Sequence, residues 1–225
     1  MLKTIAVPDC PEDPDHDCAI CPRLKDFRDQ NQQKFPDKFN APVPSFGPQG
    51  AQLLIVGLAP GLKGANFTGR PFTGDYAGDL LYSTLKTYGF ASGHYDKRPD
   101  DGLQLHDCRI TNAVRCVPPE NKPTGAEIKN CQPFFQKTIA DMLNLKVMLA
   151  LGKIAHDTII RTFGYKLAAY KFAHRAKHDL GDGLGGGLIM IDSYHCSRYN
   201  TQTGRLTERM FHDVFDDIQS ITAKD

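Results

Sequence analysis

Four short apolar runs stand out along the chain: 52–57 (QLLIVG), 108–114 (CRITNAV), 146–151 (KVMLAL) and 188–192 (LIMID). Each has the length of a strand. None shows a regular apolar–polar alternation, which is how strands covered on both faces of a parallel sheet read. Between them the period changes. Ala77, Leu80, Leu81, Thr84, Leu85 and Tyr88 recur at helical spacing and predict a helix over 77–88. Thr124 followed by Glu127 is a capping-box pattern and opens a helix over 124–142. Further helices are predicted over 153–162, after Gly152, and over 207–221, capped by Thr207. Strand–helix alternation with short right-handed crossovers gives an α/β fold. The expected architecture is a three-layer α/β/α sandwich around a central, mainly parallel sheet of about four strands. Ahead of it, residues 1–50 read as an irregular leader with a short polar helix over 22–34 and a connection punctuated by Pro36, Pro42, Pro44 and Pro48. Leader and sandwich are expected to form one domain spanning 1–225.

The loops after the first, second and fourth strands carry the unusual residues. They would converge at the carboxyl edge of the sheet, where such folds bind ligands. The first runs from the strand into GLAPGLKGANFTGRPFTGDYAGD, with glycines at 57, 61, 64, 69, 74 and 78. These let the backbone approach a ligand closely. Among them stand one ring, Phe72, and one carboxylate, Asp75. Phosphate cradling is excluded, because there is no GxxxxGK[ST] and the spacing departs from GxGxxG. A GxSxG nucleophile elbow is also missing. Asp75 has two readings: an N-cap for the helix that follows, or a carboxylate that positions a water. His195 lies two residues beyond the last strand, in SYHCS, placed for chemistry or simply at the surface. Asn121, in PPENKP, is a turn residue or an amide offering one donor and one acceptor side by side.

The 225 residues are 40% apolar and 24% charged, ordinary for a soluble domain. No apolar run approaches the ~18 residues of a membrane span. The amino-terminal MLKTIAVPDCPED lacks the apolar core of a signal peptide. A cytoplasmic monomer with reduced thiols is therefore expected. Net charge is only +1, but it is unevenly spread. Asp9, Glu12, Asp13, Asp15 and Asp17 crowd the leader, whereas 161–178 holds Arg161, Lys166, Lys171, Arg175 and Lys177. The basic stretch reads as a solvated surface or as a face toward a polyanion. The seven cysteines do not suit a disulfide scaffold. Cys18-x2-Cys21 and Cys116-x14-Cys131 could instead close an S4 cage around zinc or an iron–sulfur cluster, and the spacing does not separate the two.

Four segments in this order, GLAPG, GANFTGRPFTGDYAG, TNAVRCVPPENKPT and SYHCSRYNTQTGR, resemble the iron–sulfur branch of the uracil-DNA glycosylase superfamily, in particular family 5, or type b. The likeness runs from Cys18 to about Met210. It implies removal of uracil from DNA, and Cys18, Cys21, Cys116 and Cys131 around a [4Fe–4S] cluster. It favours the water-handling reading for Asp75, because GLAPG carries no polar side chain of its own. By the same likeness, His195 would donate to the departing base together with backbone N–H groups near Leu58 and Ala59. Phe72 would stack the base, and Asn121 would read its edge. Arg198, Tyr199 and Asn200 form a polar loop able to wedge into a duplex. Thr68, Thr73, Ser193, Ser197, Lys171 and Arg175 are candidate phosphate contacts. Two residues depart from the family's pattern: Cys196 stands where a Pro is expected and Phe67 where an Arg is. Two rival readings are a non-catalytic metal- or iron–sulfur-containing module that binds nucleic acid, and an unrelated hydrolase on a doubly wound sheet.

Overall fold

The computed structural model describes residues 8–183 and 186–223. The central sheet has strand order β4-β1-β5-β7-β6, from β1 (Leu53–Gly57), β4 (Cys108–Asn112), β5 (Val147–Leu151), β6 (Lys177–Gly183) and β7 (Gly186–Ser193). The β1–β4, β1–β5 and β5–β7 pairs are parallel, as the apolar runs predict. The expected count of four strands is corrected to five. The added strand, β6, pairs antiparallel with β7 at the sheet edge. A separate two-stranded hairpin, β2 (Ala91–Ser92) and β3 (Gln104–Leu105), sits in the loop before β4.

Successive residues of a strand point to opposite faces, and here both faces are covered. Leu53 and Ile55 pack with α3 (Tyr76–Thr87) and α7 (Glu208–Thr222) through Leu81, Leu85, Phe211 and Phe215. Leu54 and Val56 pack the other way, against α4 (Gly125–Asp141) and α5 (Lys153–Thr162) through Phe135, Ile139, Ile159 and Ile160. These two cores make the three-layer sandwich. The predicted capping box on α4 is present. Glu127 N–H donates to Thr124 Oγ1 at 3.3 Å and Thr124 N–H to Glu127 Oε2 at 2.7 Å.

The leader is tied down rather than loose. Its helix α1 (Pro22–Lys34) packs Leu24 into a third, smaller core with Val114, Cys116, Cys131 and Phe134. Arg23 pairs with Glu127 at 2.7 Å. The acidic residues of the leader meet arginines around β4: Glu12 pairs with Arg109 at 2.5 Å and Asp13 with the buried Arg115 at 3.0 Å. Two one-turn helices, α2 (Ala65–Thr68) and α6 (Arg198–Gln202), lie in the loops after β1 and β7, and 3-10 turns occupy Pro119–Asn121 and Leu167–Ala169. Among the described residues, no helix is long and apolar enough to cross a membrane.

Candidate active site

The parallel strands end in a pocket of about 410 Å³. Its floor is made where β1 and β4 stop together, with Gly57 in register with Asn112. A Cβ on Gly57 would lie 2.3 Å from Asn112 Oδ1 and 2.8 Å from Phe72 Cζ, so only glycine lets both side chains close over the strand end. Phe72 is held at φ +53 and is 7% exposed. Its loop is fixed from behind. Arg70 makes two bonds to Asp101, at 2.9 and 2.8 Å, in a buried ion pair, and Tyr95 Oη donates to the Phe72 carbonyl at 3.2 Å.

Asp75 both caps a helix and faces the pocket. It is the N-cap of α3, with Oδ1 accepting from Ala77 N–H at 3.1 Å, and it also lines the pocket. A Cβ on Gly61 or Gly64 would fall 3.2 or 2.5 Å from Oδ2, so these glycines leave room beside the second oxygen. Burial raises the Asp75 carboxyl above its ordinary range, against backbone hydrogen bonds that lower it.

His195 lines the same pocket, its ring 5.9 Å from that of Phe72 and tilted by 31°. Burial pushes it down to about 4, so it is a neutral imidazole at physiological pH. Leu58, Ala59, Asn121, Ser197 and Arg198 complete the predicted residues found on the lining. Asn121 is exposed, in the 3-10 turn at the rim with φ +57. Asn112 was missed by the sequence reading. It is 3% exposed at the pocket floor, and its signal was a polar residue at the carboxyl end of a buried parallel strand. A wider hollow of about 1030 Å³ lies at the opposite, amino ends of β1 and β5 and holds none of these residues.

The four cysteines Cys18, Cys21, Cys116 and Cys131 line one cavity beneath α1. Cys21 is the N-cap of α1, with Pro22 in the first turn, and burial raises its thiol against the Asn130 bond that lowers it. Donors already face the sulfurs. Arg28 Nη1 lies 2.9 Å from Cys116 Sγ, Arg115 N–H 3.4 Å from Cys131 Sγ, and Asn130 Nδ2 3.6 Å from Cys21 Sγ. Burial pushes the Cys116 thiol up to about 12 and the Cys131 thiol up to about 11. These donors match sulfurs that carry negative charge, so the residues fit a metal or cluster bound through thiolates.

The model of the uracil-DNA glycosylase superfamily matches residues 44–219, most of the chain and all of the sheet. The chain belongs to the uracil-DNA glycosylase superfamily. A type-5 uracil-DNA glycosylase of Thermus thermophilus is 41% identical over 202 residues, covering 88% of this chain and 90% of that protein. One from Mycobacterium leprae is 37% identical over 91% of each. A type-4 uracil-DNA glycosylase of Sulfurisphaera tokodaii is more distant, at 29% over 76% of this chain and 72% of the other.

Against this family background, several candidate DNA contacts are placed differently from expectation. Ser193 is fully buried, with its hydroxyl donating to the Tyr194 carbonyl at 2.8 Å, so it faces away from any phosphate. Thr73 is likewise buried, its Oγ1 accepting from Arg70 Nε at 2.7 Å. The Thr68 hydroxyl is held among carbonyls of its own loop, including Thr73 O at 3.1 Å. Ser197 caps α6, and Asn200 turns inward to donate to the His195 carbonyl at 2.8 Å. Tyr199 stands out, 71% exposed, and the Arg198 guanidinium lies over the Tyr76 ring at 5.5 Å. Lys171 is exposed, whereas Arg175 is engaged by Asp217 at 2.6 Å, which also binds Lys177 at 3.0 Å. Two of the five basic side chains of the stretch thus share one carboxylate within the fold.

Proposed function

We propose that this protein is a monofunctional uracil-DNA glycosylase, hydrolysing the N-glycosidic bond of uracil in DNA and leaving an abasic site. One observation carries the reading: a neutral His195, the half-buried carboxyl of Asp75 and the ring of Phe72 line a single pocket at the carboxyl ends of a parallel sheet. A base inside a duplex cannot reach such a pocket, so the nucleotide flips out of the stack. Phe72 stacks the base. The bond breaks toward an oxocarbenium-like sugar, leaving negative charge on the uracil ring. His195 donates an N–H to that charge, assisted by backbone N–H groups near Leu58 and Ala59. Asp75 Oδ2 orients the water that attacks C1′, and its charge favours the cationic sugar. Among the described residues no lysine lines the pocket, which suits simple hydrolysis rather than a Schiff base. The test is purified protein on a uracil-containing duplex, scored for released base. Free uracil is expected; a bound but uncut duplex would support a non-catalytic binding module instead.

The amide that reads the base is Asn112, with Asn121 closing the rim. Uracil presents O4 as acceptor and N3–H as donor, and cytosine reverses both. An amide fixed for uracil then leaves buried groups unpaired with cytosine, at roughly 1–3 kcal/mol each. Burial at the strand end favours Asn112 for this role over an exposed turn residue. Asn112→Asp is expected to narrow the ratio of single-turnover rates on U:G and C:G duplexes more than Asn121→Asp does. The opposite ranking would return the role to Asn121.

The four thiols hold a [4Fe–4S] cluster in this reading. The four cysteines line one cavity with donors facing three of the sulfurs, which supports thiolate ligation, and the likeness to the iron–sulfur branch favours a cluster over zinc. When bound, the cluster supplies thiolate bonds that cross-link α1, α4 and the loop after β4.

A further inference from the structure

We propose that His156, Asp192 and His178 form a hydrogen-bonded clasp that positions His195 for the reaction. The inference rests on the glycosylase reading above, since it presumes that His195 acts on the departing base. Asp192 is fully buried on β7, three residues before His195, and all its polar atoms are engaged. Oδ1 accepts from His156 Nδ1 on α5 at 2.7 Å. Oδ2 accepts from His178 Nε2 on β6 at 2.9 Å and from Ala173 N–H at 3.3 Å. Its backbone N–H donates to Ala176 O at 2.9 Å, and its carbonyl accepts from Arg175 N–H at 2.8 Å. His156 Nε2 then donates to the Tyr170 carbonyl at 2.9 Å. Residues 170–178 are therefore a strap fastened to β7 at nearly every turn.

The strap also fixes the residue next to His195. Tyr194 N–H donates to His174 Nδ1 at 3.2 Å, and His174 Nε2 reaches the Met210 carbonyl of α7 at 3.2 Å. The rings of His174 and Tyr194 stack at 5.1 Å. His174 thus accepts at one nitrogen and donates at the other, a neutral ring, and burial lowers its pKa accordingly. The backbone of 192–194 is clamped from the strap side, and Asn200 holds the His195 carbonyl from the other. A base-facing imidazole that hangs on this backbone inherits its precision. His156, Asp192 and His178 do not line the pocket, so they act as positioning residues.

The clasp carries charge. Both nitrogens of His156 face acceptors, a carboxylate and a carbonyl, so both carry hydrogen and the ring is an imidazolium. Its pKa is raised accordingly, the Asp192 bond and charge outweighing burial. The groups around it are Asp192 on β7, His178 on β6, the Tyr170 carbonyl and the Phe172 ring on the strap, and Asp157 on its own helix. A raised folded pKa gives stability that is complete below the ordinary histidine value and is lost as pH rises through the folded value. The clasp therefore loosens on the alkaline side.

The test compares His156→Gln and Asp192→Asn with the wild-type protein, well below their melting temperatures, on a uracil-containing duplex. A Gln can donate to only one of the two acceptors. The single-turnover rate is expected to fall by ~10-fold or more, within the range for a displaced catalytic group. The alkaline limb of its pH profile should disappear in His156→Gln, and the His195 imidazole NMR signal should shift or broaden, with affinity for DNA kept. Should neither buried variant fold, His178→Gln, at the more open end of the clasp, gives the rate and NMR readouts. Wild-type rates, an unchanged alkaline limb and an unmoved His195 signal would overturn the clasp. So would one equivalent of zinc held besides the cluster iron and lost in His178→Gln, because the same three ligand atoms lie within 4.8 Å of one another and would then be a metal site. A wild-type protein that releases no uracil would instead remove the glycosylase reading itself.

Discussion

Asp75→Asn should lower single-turnover release of uracil by ~10²-fold or more, the scale of one positioned catalytic group. Asn ranks with Asp as an N-cap, so the bond from Ala77 N–H survives and the start of α3 is kept. What is lost is the charge at Oδ2, beside Gly61 and Gly64. Stability should move the other way. Burial raises the Asp75 carboxyl, so its ionised form is disfavoured by folding. The stability linked to such a group is complete below the unfolded carboxyl value and is lost as pH rises through the folded one. At neutral pH the wild-type protein bears that cost, and Asn removes it. The melting temperature should therefore hold or rise while the rate collapses. The wild-type rate should fall as pH drops through the raised Asp75 value, and that part of the acid limb should be absent from the variant. Protonation of His195 near pH 4 remains in both proteins. A variant that is nearly fully active but melts much earlier would make Asp75 a helix cap alone.

Three of the four predicted strands were legible as apolar runs because each is buried on both faces; β4 buries Arg109, Thr111 and Asn112 among its five residues. Burial on both sides leaves an apolar run that needs no partner to be recognised. β6 was not legible for the complementary reason. Its sequence, KHDLGDG, is polar, and Leu180 is the buried apolar residue that it supplies to the core. It is held by ladder bonds to β7 and by His178, none of which leaves a mark in apolar periodicity. One-turn helices such as α2 and α6 are too short to show a period at all.

The pocket was partly legible for a related reason. Glycines, Phe72, Asp75 and His195 cluster in loops that a parallel sheet must bring to one edge, so topology alone joins them. Asn112 escaped because it ends a strand whose other residues are core. Only the register, which sets it opposite Gly57, shows that it opens into the cavity. Charge misled in both directions. The leader's acids stand in sequence as an unpaired run, yet Glu12 and Asp13 pair with arginines close to a hundred positions away. The basic stretch reads as a solvated surface or as a face toward a polyanion, yet Asp217 engages Arg175 and Lys177. Such pairings are made by tertiary contact, and net charge over a window carries no record of them.

Cys116→Ala should have the largest effect on the molecule as a whole. Protein purified without oxygen is expected to be brown and to hold iron and sulfide, and the variant should be colourless. Thiolate ligation contributes on the order of 10 kcal/mol in small metal-bound modules, more than the stability of many whole domains. Here it would fasten the leader to the sandwich. Cys18 and Cys21 precede or cap α1, Cys116 follows β4 and Cys131 lies in α4, so one group cross-links three elements. Without it the fully buried part of the third core is reduced to Leu24, Val114, Cys131 and Phe134 around a cavity. The loss reaches further through Arg28. This guanidinium is 3% exposed and donates to Cys116 Sγ and to the Cys18 carbonyl. Removing the sulfur leaves a buried charge short of an acceptor, at roughly 1–3 kcal/mol before any metal is counted. The variant should therefore be cut by protease within residues 8–50 under conditions where the wild type is not, while the sheet stays protected. Cys116→Ser keeps the shape but not the soft ligand, so it should lose iron as well and separate ligation from packing. One zinc and no iron in gently prepared wild-type protein would remove the cluster and leave the glycosylase reading standing. Full iron in Cys116→Ala would show that a different sulfur, such as the nearby Cys10, completes the cage.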